Sequence, residues 1–90
     1  MVKKRPTESF ELDYPIEVDG VEVSTLTVRR PTVRDQLNME RKKGTEAEKG
    51  IGYFAALCEM APSDIEAMDA SDFARLGEVI QGFQPTPKES

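Results

Sequence analysis

Asp19-Gly20 divides two runs of alternating apolar residues: Phe10, Leu12, Tyr14, Ile16 and Val18 before it, Val21 and Val23 after it. Alternation with a period of two marks strands with one buried face, and Asp-Gly between such runs specifies a tight two-residue hairpin turn. The chain is therefore predicted to open with an antiparallel β-hairpin over residues 8–30. One detail breaks the pattern. Leu26 and Val28 fall on even positions where Val21 and Val23 fall on odd ones, so an uninterrupted strand would send one pair to solvent. With Val18 opposite Val21 and Ile16 opposite Val23, one extra residue near Ser24 and Thr25 restores the pattern. Tyr14 then faces Leu26, Leu12 faces Val28 and Phe10 faces Arg30. A β-bulge is expected there, with a longer or differently typed turn as the competing explanation. Pro15 lacks an N–H, so its amide side is expected at an edge or a bulge.

Beyond Pro31 the apolar spacing changes from two to about 3.6, the helical period. Four pairs have the capping pattern of a small polar residue followed three positions later by an acid: Thr32 with Asp35, Thr45 with Glu48, Ser63 with Glu66, and Asp69 with Asp72. The first predicted helix runs from Thr32 to about Lys43, with a thin apolar side of Val33, Leu37 and either Met39 or the stem of Glu40. Residues 45–50 read as a loop or a frayed turn, because Gly50 and Gly52 each weaken a helix by roughly 1 kcal/mol relative to Ala. From Ile51, the stripe of Phe54, Ala55, Leu57, Cys58 and Ala61 predicts a central buried helix that Pro62 stops. Residues 63–68 make a short turn or helix, and Asp69 caps a last helix with the stripe Phe73, Leu76, Ile80 and Phe83. The expected fold is α+β, an N-terminal two-stranded antiparallel hairpin followed by three to four helices. It forms one domain over 8–83 (hairpin 8–30, helices 32–83), with a disordered basic tail at 1–7 and a flexible, proline-containing tail at 84–90.

Ninety residues with 38% apolar content hold material for a single modest core, whose margin a bound partner would raise. The net charge of −5 is unevenly spread: residues 1–43 carry nine basic against eight acidic side chains, residues 44–90 three against nine. An acidic chain is repelled by phosphate, so nucleic acid is not expected as a partner. The basic N-terminus is followed by no apolar run, and no stretch reaches the ~20 apolar residues that span a bilayer, so neither a signal peptide nor a membrane partner is expected. With a single cysteine, Cys58, there is no internal disulfide, which fits a reducing, cytosolic setting.

Catalysis is not expected. The sequence contains no histidine, and Cys58 lies on the apolar stripe of the central helix, where it reads as a core residue. The acids Asp64, Glu66, Asp69 and Asp72 lack the spacing of a calcium loop and are explained by helix caps, and the glycines at 44, 50 and 52 form no phosphate-binding motif. No metal and no cofactor are predicted. The Arg41-Lys42-Lys43 run reads as a solvated face at a helix C-terminus, with steering of an anionic partner as the alternative. Methionines and aromatics near helix ends stand out instead. Methionine suits surfaces that accept variable partners as well as irregular core gaps, and Tyr53, Met60, Met68 and Phe83 are the candidate partner-binding residues.

In order along the chain stand P-I-x-x-D-G (from Pro15), L-T-V-R-R-P-T (from Leu26) and I-x-x-M-D-A-S-D-F-x-x-L-x-x-V-I-x-G-F (from Ile65). Together, over residues 10–83, they resemble the small tail assembly chaperones of Mu-like and P2-like tailed phages. The resemblance implies a non-enzymatic phage or prophage protein of the host bacterial cytoplasm. It would bind the tape-measure protein, keep it soluble and help tail-tube subunits assemble around it, with weak homo-oligomers and a longer frameshifted product as further implications. Gly50 and Gly52 depart from the family pattern. The alternative is a small structural or regulatory module, such as a tail connector subunit or an antitoxin-like protein, that self-associates through the hairpin edge.

Overall fold

The computed structural model describes residues 7–83. The order is β1 (Thr7–Val18), β2 (Val21–Arg29), α1 (Val33–Arg41), α2 (Glu46–Cys58), α3 (Pro62–Glu66) and α4 (Ala70–Phe83). This is the expected α+β arrangement of a hairpin followed by helices. The expected tails fall outside the described residues, except for Thr7, which opens β1.

β1 and β2 form a two-stranded antiparallel sheet. Asp19 and Gly20 both take positive φ, 52° and 79°, as the tight turn requires. Next to the turn, Val18 pairs with Val21 and Ile16 with Val23, as the spacing predicts. The register then breaks, and it breaks on the other strand. Glu11 pairs with Thr25 and Phe10 with Leu26, so residues 12–15 of β1 lie opposite Ser24 alone. The surplus expected on β2 therefore belongs to β1 and is three residues long. Tyr14 does not face Leu26; it is 61% exposed, while Leu12 and Ile16 on either side of the bulge are buried. Val23 and Leu26 both turn toward the core, Leu26 buried and Val23 packed against it.

α2 packs on β2, α3 and α4 pack on β1, and α1 packs on α2. The core between them joins Phe10, Leu12, Ile16, Leu26 and Val28 of the hairpin to Leu57, Ile65, Leu76 and Ile80 of the helices.

The caps account for the helix boundaries. Thr32 with Asp35 and Thr45 with Glu48 form reciprocal capping boxes. The second box starts α2 at Glu46, so residues expected to fray are helical. α2 ends at Glu59, whose left-handed backbone (φ 56°) turns the following Met60 N–H back onto the Ala55 carbonyl at 2.9 Å. α3 is not capped by Ser63, which lies inside it. Its N-cap is Ala61, which has no side-chain acceptor, and the Asp64 carboxylate instead accepts the Ala61 N–H at 3.3 Å. Asp69 does cap α4, accepting from the Ser71 N–H at 3.0 Å, but its expected partner Asp72 points elsewhere.

Candidate protein-binding groove

Two arginine–aspartate pairs fix the helices that frame the groove. Arg29, the last residue of β2, donates from Nη1 and Nη2 to the two oxygens of Asp35, at 2.7 and 2.9 Å. Asp35 also accepts the Thr32 N–H at 2.8 Å, so one buried carboxylate closes the cap of α1 and ties it to the strand. The Arg29 hydrogen bonds hold its carboxyl far below the usual carboxylate range, against the opposing effect of burial.

Asp72 does the same for α4 and β1. It is fully buried, and its Oδ1 and Oδ2 accept the N–H groups of Asp13 (3.2 Å) and Tyr14 (3.0 Å), the two amides that the bulge takes out of the ladder. Pro15, next in the bulge, has no N–H to satisfy. Arg75 donates to Asp72 Oδ1 at 2.7 Å and to the Glu11 carbonyl at 3.1 Å, and its guanidinium lies 4.8 Å from the centre of the Phe10 ring. Burial alone would push the Asp72 carboxyl up. The Arg75 hydrogen bond and the two amides outweigh it and hold the group below its ordinary value.

Held this way, α1, α2 and α4 leave an open groove of about 450 Å³ lined by Met39, Gly50, Tyr53, Phe54, Ala74, Gly77, Glu78, Ile80 and Gln81. Phe54 is its aromatic wall, stacked at 4.9 Å on Phe73 of α4 and 6.3 Å from the Tyr53 ring. Gly50, Ala74 and Gly77 contribute little or no side chain to the lining, so another backbone can approach closely there. Among the described residues, no helix is long and apolar enough to cross a membrane.

A family model described as "Phage tail assembly chaperone proteins, E, or 41 or 14" matches residues 9–85. The chain belongs to the phage tail assembly chaperone family. No curated protein and no solved structure matches the chaperone.

The chaperone's four candidate contact residues are placed unequally. Tyr53, Met68 and Phe83 are buried in the core, and Met60 is half-buried against it. Tyr53 still lines the groove, and Met68 lines a separate hollow of about 200 Å³ with Ile51, Ile65 and Phe73. Met60 and Phe83 line neither. Apart from Tyr53, none of the groove residues is among the candidate contacts: Met39, Phe54 and Ile80 read only as helix-face residues, and Ala74, Gly77, Glu78 and Gln81 are not singled out. A signal existed in the glycines: two small residues at helix-interior positions, each costing helix stability, mark places where something packs close. Three of the four clustered acids have structural partners: Asp64 the Ala61 amide, Asp69 Ser71, and Asp72 the β1 bulge.

Proposed function

We propose that the chaperone holds an amphipathic helical segment of the tape-measure protein in the groove between α1, α2 and α4. It thereby keeps that client soluble in the host bacterial cytoplasm until tail-tube subunits assemble around it. The observation that carries this reading is the largely apolar groove with Gly50, Ala74 and Gly77 in its lining, a surface suited to helix-in-groove binding. Family membership supports a protein client over a small molecule. In this reading Tyr53 touches the client directly, Met68 offers a second, smaller contact, and Met60 and Phe83 act by fixing the helices around the groove. No step requires a catalytic group or a cofactor.

Co-expression with the tape-measure protein of the same phage tests the proposal. Ala74 is an exposed position on the groove, so Ala74→Glu places a carboxylate in the client's path without disturbing the core. The client is expected in the soluble fraction with the native chaperone and in the pellet with the variant. A variant that keeps the client soluble would rule the groove out.

A further inference from the structure

A second hollow, about 230 Å³, adjoins the groove across Met39 and Tyr53 and has different chemistry. Its α1 wall carries Asp35, Asn38 and Lys42, and its α2 wall carries Lys49 and Gly52. The charge of Asp35 is already met, since Arg29 holds both of its oxygens. Lys42 and Lys49 form no ion pair among the described residues. The hollow is therefore left with two uncompensated cations beside the Asn38 amide.

Gly52 explains how one of them is positioned. A Cβ at Gly52 would lie 2.7 Å from Lys42 Nζ and 3.4 Å from its Cδ and Cε. The lysine side chain thus lies across α2 at a position where the helix has no side chain. Lys42 reaches there because it is the C-cap of α1, with an extended backbone (φ −69°, ψ 138°) that turns it out of the helix. A glycine in a helix interior is unfavourable on its own account, and here its absent side chain is what seats the ammonium group.

We propose that Lys42 and Lys49 form a cationic end to the client groove and select a helical segment that carries acidic residues at one end of its apolar stripe. The inference rests on the groove reading above and adds to it the client's charge pattern and the direction in which it lies. Charge complementarity at a groove's end fixes register and rejects wrong partners more than it raises affinity.

Two labelled amphipathic peptides of roughly five helical turns test it. They share one leucine stripe, and one ends in a pair of glutamates, the other in a pair of lysines. By fluorescence anisotropy at low ionic strength, the glutamate-ended peptide is expected to bind on the order of tenfold more tightly, an advantage that fades as salt approaches ~1 M. The double variant Lys42→Glu/Lys49→Glu is expected to reverse the preference. Gly52→Ala is expected to raise the melting temperature and yet weaken the glutamate-ended peptide, because its methyl displaces the Lys42 ammonium. Equal affinity for the two peptides, or a preference that survives the double reversal, would overturn the proposal. If both peptides bind equally and Ala74→Glu releases both, the groove stands and the charge selection falls. If neither binds the native chaperone, both readings fall.

Discussion

Asp35 binds an arginine and the Thr32 amide, Asp72 an arginine and two amides of β1, and both carboxyls are held below their ordinary values in the folded chain. A group whose pKa is lower in the folded state stabilises the fold above its unfolded value, and that stability drains away as pH falls. Both contributions are thus in full force at neutral pH and are lost below about pH 4. Urea titrations at stepped pH should show this loss, and Asp35→Asn should flatten it while lowering stability at pH 7 by about 2 kcal/mol. Cys58 behaves in the opposite sense. Burial pushes its thiol up to about 11, so the folded state keeps the proton while an unfolded chain releases it near pH 8.5, and stability falls as pH rises through that window. The native thiol is expected to react with iodoacetamide only as fast as the domain opens, so that urea accelerates labelling. Labelling at the rate of a free thiol in the folded protein would contradict its burial.

Among the elements, α1 is the one whose orientation differs most from its sequence pattern. Val33 and Leu37 are 72% and 42% exposed, and the side facing α2 is made by Asp35 and Met39. Val33→Glu is accordingly expected to change stability by no more than about 0.5 kcal/mol in urea unfolding, whereas Leu57→Ala, at a fully buried site on α2, should cost about 2–5 kcal/mol. Elements set by neighbouring residues were legible: the Asp19-Gly20 turn, the two reciprocal capping boxes, and the stripe of Leu76, Ile80 and Phe83. The bulge was legible only in part. The parity change between Val23 and Leu26 announced an irregularity, but its size and strand depend on Asp72, 59 positions from Asp13. Asp72 itself reads as a capping partner of Asp69, because a local hydrogen bond is the simpler explanation of D-x-x-D when the distant strand is unseen.

At the scale of the whole molecule, the order of motifs pointed to the family, and the family match agrees. The groove was not legible, because it is made by three helices whose placement depends on the Arg29–Asp35 pair and on the hydrogen bonds of Asp72 to distant amides of β1. Tyr53 was read from its type and not from its position, and Gly50 and Gly52 were read as weaknesses when one lines the groove and the other seats Lys42. A chaperone of this design should sediment as a monomer or weak oligomer alone and co-purify with its client. Concentration-dependent polymers that Ala74→Glu does not affect would favour assembly through the hairpin edge. The clamp of Asp72 on the β1 bulge also bears on how the protein is made. On the ribosome the hairpin emerges first, and its two out-of-ladder amides have only water as a partner until Asp72 has been synthesised and α4 has docked. Chains stalled before Asp72 clears the exit tunnel are expected to remain protease-sensitive, and those stalled well beyond it to become resistant in one step. Translation of the last helix would then act as the release for folding of the first strand.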